Sequence, residues 1–96
     1  MKGKTDNDKS AYAKYLLYKI YLNKKDYSES LNYLDSISEV NDKRFDRNNM
    51  LNDKTKIYIN TDCSLAENLL LNEKKEKLLS LYISSECNIT SDIIDL

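Results

Sequence analysis

Apolar side chains recur at helical spacing near the start of the chain. They lie three and four residues apart, as on one face of an α-helix, at Ala13, Leu16, Leu17, Ile20 and Tyr21. Four more apolar residues widen this stripe until little of the helix is polar: Tyr12, Tyr15, Tyr18 and Leu22. The pattern predicts a helix from about Lys9 to Asn23 that is covered on more than one side, behind a flexible polar head of residues 1–8.

A second helix is predicted after the polar bend that follows Asn23. Asp26 can accept hydrogen bonds from the first backbone N–H groups of this helix, and Glu29 can reach back to the cap. Its apolar face carries Tyr27, Ser30, Leu31, Leu34 and Ile37. Because about three residues join the two helices, they should lie antiparallel and form a first hairpin over residues 9–42.

The middle of the chain repeats this organisation after a hydrophilic linker of residues 43–47. Met50, Leu51, Ile57 and Tyr58 repeat at seven-residue spacing, which predicts a third helix from about Asn48 to Asn60. The β-favouring residues between Lys56 and Ile59 leave a short strand as an alternative. Asp62 can cap a fourth helix, and residues 48–72 would form a second hairpin.

Residues 73–96 are predicted to hold a C-terminal helix and an apolar tail. Leu78, Leu79, Tyr82 and Ile83 would face away from Leu65, Ala66, Leu69 and Leu70 on one continuous helix. Either the chain bends within residues 72–75 or one long helix covers residues 62–86, and the pattern leaves both open. Residues 88–92 are typical of a further helix start, after which three of the last four residues are apolar.

An internal repeat supports the idea of two hairpins. The sequence of residues 19–23, Lys-Ile-Tyr-Leu-Asn, recurs at residues 56–60 as Lys-Ile-Tyr-Ile-Asn. Asp26-Tyr27-Ser28 recurs as Asp62-Cys63-Ser64. A period of 36 to 37 residues, taken from these positions, is typical of stacked helical hairpins.

The stretch from Ala11 to Ile37 resembles a tetratricopeptide repeat. The matching residues are Leu17, Tyr21, Asp26, Tyr27, Ser30 and Leu34. The residues that depart from the family pattern are Lys14, Tyr18, Lys25 and Ile37. Lys25 stands where the family has a glycine at the bend. The resemblance implies an all-α fold of two stacked antiparallel helical hairpins, to which the C-terminal helix is added.

Such hairpins recognise other proteins through a groove lined by their first helices, so the resemblance implies a non-catalytic adaptor or complex subunit. The equivalent positions in this chain are Tyr12, Tyr15, Lys19, Leu22, Asn49, Asn52, Lys56 and Ile59. The uncovered apolar end, with Ile93, Ile94 and Leu96, is a second candidate contact for a protein partner or another copy. Packing of Tyr12 and Tyr15 against a neighbouring helix is the alternative to a groove.

The charge balance argues against a nucleic-acid or membrane ligand. The chain has fifteen basic and sixteen acidic residues, so it has no net positive electrostatic field that would attract the whole molecule to a polyanion. The basic bends at Lys24–Lys25, Lys43–Arg44 and Lys74–Lys75 leave nucleic-acid or ribonucleoprotein association as the alternative function. No apolar stretch is typical of a signal peptide or membrane span, which predicts a cytoplasmic or nuclear location.

Little in the composition is suited to catalysis, and we predict no enzyme, cofactor or metal site. The chain has no histidine, and its one glycine, Gly3, lies outside any phosphate-binding pattern. Cys63 and Cys87 are predicted to be reduced thiols, with a disulfide as the alternative. The carboxylate pairs Asp26–Glu29 and Asp62–Glu67 are the best catalytic constellation, although capping already explains the first. The triplet Asn88-Ile89-Thr90 matches a glycosylation acceptor, but it carries no weight without a secretory signal.

Overall fold

The computed structural model describes the backbone of residues 2–96 and the side chains of residues 11–96. Over this range the chain forms helices and no strand, which confirms the all-α prediction. The helices are α1 (Lys2–Asn23), α2 (Tyr27–Ser36), α3 (Arg47–Thr61), α4 (Cys63–Glu73), α5 (Glu76–Ile83) and α6 (Ser91–Ile94). They fall into two compact units, Met1–Asp46 and Arg47–Leu96.

The first unit is a hairpin of α1 and α2. The backbone is helical from Lys2, earlier than the predicted start at Lys9, while the side chains of the predicted head, residues 1–8, lie outside the described residues. The predicted bend between the two helices is present at residues 24–26. Helix α2 ends at Ser36, several residues before the expected end, and residues 37–46 follow as turns and loop.

A left-handed residue forms the bend of this hairpin. Lys25 has a φ of 63°, and the backbone N–H groups of Lys25 and Asp26 donate to the carbonyls of Leu22 and Tyr21 at 3.0 and 2.9 Å. This pattern is the Schellman motif, in which glycine is usual because a Cβ disfavours the left-handed region. Asp26 then caps α2 as predicted, since its carboxylate accepts from the Glu29 N–H at 3.4 Å.

The buried face of α1 is not the one that the apolar pattern indicated. Tyr15 and Tyr18 are buried, whereas Leu16 and Ile20 of the predicted stripe are exposed, so the expectation that this stripe, with Ile20, is the covered face is wrong. Leu34 of α2 is buried as expected. Because α1 is apolar on most sides, its own periodicity could not select the face that meets α2.

The second unit contains the remaining four helices. Helix α3 is continuous through residues 56–59, so the alternative of a strand there is wrong. Asp62 caps α4, its carboxylate accepting from the Ser64 N–H at 3.1 Å. The question of one helix or two over residues 62–86 is settled by Lys74, which adopts a left-handed conformation with a φ of 53° and separates α4 from α5.

The core of the second unit lies among α3, α4, α5 and α6. Its buried residues are Ala66, Leu70, Leu78, Tyr82, Cys87 and Ile93, with Leu51, Tyr58, Ile59, Leu69, Leu71 and Leu79 packed against them. Ala66 and Leu70 stand one period after Ser30 and Leu34, and all four are buried. Each hairpin therefore buries a small and a large side chain at the same places in its second helix.

Cys63 and Cys87 form a disulfide, so the prediction of two reduced thiols is wrong. Cys63 is the first residue of α4, and Cys87 lies in the loop after α5. The fold brings their Cα atoms to 5.7 Å, within the range that a disulfide spans. A sequence separation of 24 residues gives no sign of this proximity.

Candidate functional site

The predicted groove positions of α1 are largely occupied by the chain itself. Phe45, from the loop after α2, stacks on Tyr15 with ring centroids 4.6 Å apart and an interplanar angle of 15°. Tyr15 is only 8% exposed and also contacts Tyr18 edge to face. Tyr15 therefore belongs to the core of the first unit, and its surface is not open to a partner in this conformation.

An ion pair holds the same loop over Tyr12. The Arg44 guanidinium lies 4.2 Å from the centre of the Tyr12 ring, which is a cation–π contact. Asp42 accepts from the backbone N–H of Arg44 at 2.9 Å and from its Nε at 3.0 Å. These hydrogen bonds lower the pKa of Asp42 from 3.8 to about 2, the side-chain bond being the largest cause. Arg44 is thus committed to local contacts, which weakens the case for this basic bend as a nucleic-acid site.

The other predicted positions on α1 are half-buried. Lys19 Nζ lies 5.0 Å from the centre of the Tyr15 ring and 5.4 Å from that of Tyr18. Leu22 is half-buried. The large apolar side chains that the described part of α1 exposes are Leu16 and Ile20, which both belong to the predicted apolar stripe.

The corresponding positions of α3 do not form an apolar groove either. Asn52 is half-buried, and Ile59 packs against the core of the second unit. Lys56 is exposed, with its Nζ 4.0 Å from a carboxylate oxygen of Asp53. The first-helix positions that the repeat resemblance selected are therefore polar or covered in this unit.

The C-terminal segment, residues 88–96, is fastened to the second unit at several points. The Tyr82 hydroxyl donates to the carbonyl of Asn88 at 2.7 Å, and the Thr90 hydroxyl donates to Glu67 at 2.7 Å. Burial, with a smaller contribution from the charge of Glu67, raises the pKa of Tyr82. Thr90 also caps α6, as the expected helix start near residues 88–92 requires. The disulfide at Cys87 adds a covalent attachment just before this segment.

The three apolar residues of this segment have different surroundings. Ile93 is buried in the core of the second unit, so it anchors the segment and is not available as a contact surface. Ile94 is 73% exposed and Leu96 is 46% exposed. Of the predicted partner-binding residues in the second unit, Ile94 and Leu96 are the two exposed apolar ones.

Leu96 lines a small groove at the break between α4 and α5. The groove has a volume of about 140 Å³, and its apolar wall is formed by Leu70, Leu79 and Leu96. Lys74, Lys75 and Glu76 line it as well and are exposed. Sequence reasoning missed this groove because it depends on the left-handed turn at Lys74, and the pattern left open whether the helix breaks there.

Three of the four carboxylates singled out in the sequence have structural roles. Asp26 and Asp62 cap helices, and Glu67 accepts from Thr90. Within the described side chains, no group of three or more histidine, cysteine, aspartate or glutamate residues is placed to hold a metal ion. Among the helices of the described part, none is both long and apolar enough to cross a membrane.

The groove at the α4–α5 break, together with Ile94 beside it in sequence, is the best candidate site that the described residues offer. It combines the exposed Leu96 and Ile94 and the half-buried Leu79 with lysines at the edge of the groove. No protein-family model, curated protein or solved structure matches this chain.

Proposed function

We propose that this chain is a non-catalytic protein-binding module that acts as an adaptor or as a small subunit of a larger assembly. The single observation that carries the proposal is the groove lined by Leu79 and Leu96, with the exposed Ile94 two residues before Leu96 in the sequence. Single exposed apolar residues are ordinary on protein surfaces, whereas apolar side chains grouped at a groove are typical of interaction sites. The contact surface is thus the C-terminal end, and not the covered face of α1.

The resemblance to tetratricopeptide repeats stays a prediction, and so does the stacking of hairpins that it implies. The features in its favour are local to each hairpin. Both second helices are capped by an aspartate, Asp26 or Asp62. Both bury the same pair of equivalent positions, and the first bend uses a left-handed residue where that family has glycine.

The alternative function is association with nucleic acid or a ribonucleoprotein through basic bends. Lys24, Lys25, Lys74 and Lys75 are exposed, as such binding requires. Arg44 is paired with Asp42, so that bend offers less positive charge than its sequence suggests. We favour protein binding because the lysines at the groove lie beside aliphatic side chains and a glutamate, and not beside exposed aromatic rings that would stack on bases.

The disulfide bears on where the protein works. Disulfides persist in oxidising compartments and are rare in the cytosol and nucleus. The cytoplasmic or nuclear location expected from the sequence therefore stays untested, and the pairing of Cys63 with Cys87 gives a physical reason to test oxidising compartments first.

Affinity capture from a native extract tests the proposed function. The tagged chain is compared with an Ile94→Asp variant, with and without nuclease treatment. Ile83→Asp is the matched control, because Ile83 is also exposed, lies in the same unit and receives the same substitution. Protein partners that survive nuclease, persist with Ile83→Asp and disappear with Ile94→Asp would support the proposal. Loss of all partners on nuclease treatment would favour the alternative instead.

A further inference from the structure

We propose that the groove at the α4–α5 break binds Ile94 of a second copy of this chain, with Asp92 and Asp95 of that copy facing Lys74 and Lys75. The inference rests on the proposed function, since it names the partner of the same surface. It follows from the chemistry of two features in the second unit that fit one another.

The groove supplies an apolar hole with a basic edge. Leu70, Leu79 and Leu96 line it, and its volume of about 140 Å³ is suited to a single aliphatic side chain. Lys74 has no ion pair with any described residue, and the Lys75 ammonium donates to the neutral amide of Asn48 at 3.3 Å. The two positive charges of Lys74 and Lys75 outnumber the one negative charge of Glu76. The edge of the groove therefore carries a net positive charge.

The C-terminal segment supplies an apolar knob with acidic neighbours. Ile94 has the largest exposed fraction, 73%, among the large hydrophobic residues that the structure leaves exposed. Asp92 and Asp95 flank it, are exposed, and form no ion pair within the described part of the chain. An isoleucine between two unpaired carboxylates complements an aliphatic groove beside two lysines in both polarity and charge.

A symmetric pair needs the knob and the hole close together, and their positions along the chain favour this. Ile94 is two residues from Leu96, and Leu96 is part of the groove. In an isologous two-fold dimer the same patch meets itself, so each copy offers one knob and receives one. Both grooves would be filled at once, and the unpaired charges of each copy would find partners on the other.

The contact is small, and we expect a weak, concentration-dependent dimer. A stable interface usually buries about 800 Å² on each partner, well above what one isoleucine and its neighbours supply. Opposite charges at the rim would contribute more to orientation and association rate than to affinity. We therefore expect a dissociation constant between about 1 µM and 1 mM.

Sedimentation equilibrium of the oxidised protein across that concentration range tests the proposal. The expected result is a monomer–dimer equilibrium that Ile94→Asp weakens at least about tenfold, since it places a charge in an apolar groove, and that Ile83→Asp leaves unchanged. Circular dichroism of each variant checks that the fold is retained. A monomer at every concentration, or a dimer that Ile94→Asp does not weaken, would overturn the inference.

Two charge-reversal variants test whether Asp95 of one copy faces Lys74 of the other. Asp95→Lys and Lys74→Asp should each dimerise less than the wild type, because each homodimer would bring like charges together twice. A mixture of the two variants should form a heterodimer at wild-type concentrations, since every contact then joins opposite charges. A mixture that associates no better than either variant alone would contradict the pairing of these residues. If the chain does not self-associate, the proposed function is still decided by affinity capture from the extract. That experiment detects partners other than a second copy of this chain.

Discussion

The hydroxyl of Ser30 donates a hydrogen bond to the backbone carbonyl of Tyr18 at 2.8 Å, and both residues are fully buried. This bond joins α2 to α1 across the first hairpin. A small side chain at position 30 lets the helices approach each other, and its hydroxyl finds a hydrogen-bond acceptor on the facing helix. In the second hairpin the equivalent position is Ala66, which is equally buried and has no hydroxyl to satisfy.

Ser30→Ala should lower the free energy of unfolding by about 1 kcal/mol, the usual net value of one intramolecular hydrogen bond. Ser30→Leu should cost more, because overpacking a tight helix contact typically costs about 1–3 kcal/mol in addition. Urea denaturation followed by circular dichroism measures both. Ser28→Ala is the control, since Ser28 is exposed on the same helix. An effect of Ser30→Leu no greater than that of Ser28→Ala would contradict the close packing at this position.

Tyr15→Ala should destabilise the first unit by about 3–5 kcal/mol, as for other buried aromatic side chains. The reason is that Tyr15 is buried and stacked on Phe45. Ile20→Ala on the same helix should change stability by less than about 0.5 kcal/mol, because Ile20 is 49% exposed. Equal effects of the two substitutions in thermal unfolding would show that the buried face of α1 has been assigned wrongly.

Replacing the left-handed lysines by glycine should stabilise the protein. Lys25→Gly and Lys74→Gly should each raise the free energy of unfolding by up to about 1 kcal/mol, since glycine adopts a positive φ without the steric cost of a Cβ. Lys24→Gly is the matched control, because Lys24 is exposed but is not in the left-handed region. A gain from Lys24→Gly as large as that from Lys25→Gly would argue against this explanation.

Removing the disulfide should lower the free energy of unfolding by about 3.5 kcal/mol, because the unfolded chain gains conformational entropy when a loop with a sequence separation of 24 residues is no longer closed. Urea denaturation with and without reductant measures the loss. The double variant Cys63→Ser, Cys87→Ser should match the reduced wild type and should not respond to reductant. A wild type that is insensitive to reductant would indicate that the two thiols are not joined in solution.

The carboxyl of Asp42 should titrate near pH 2 in the folded protein. Its pKa lies below the ordinary value because Arg44 stabilises the ionised form, so this contribution to stability is fully present above about pH 3.8 and is lost as the pH falls through about 2. Arg44→Met should return the pKa towards 3.8, while Lys43→Met should leave it low. Carboxyl chemical shifts measured across this pH range report the value directly. A low pKa that persists in Arg44→Met would assign the shift to another cause.

The sequence by itself determined the local structure of this protein. Absence of proline, apolar positions at helical spacing and aspartates at helix starts are sufficient to predict α1 to α4, because capping and periodicity act within a few residues. The caps at Asp26 and Asp62 and the bend at Lys25 were visible as patterns for this reason.

Only the tertiary structure decided which surfaces are buried and which remain open. Helix α1 is apolar around most of its circumference, so the face that packs was chosen by Ser30 and Phe45, which lie far from Tyr15 and Tyr18 in sequence. The meeting of Cys63 with Cys87 and the groove at Lys74 likewise depend on how α4 and α5 turn against each other. These contacts join residues distant along the chain, and the period of a single helix carries no information about its neighbours.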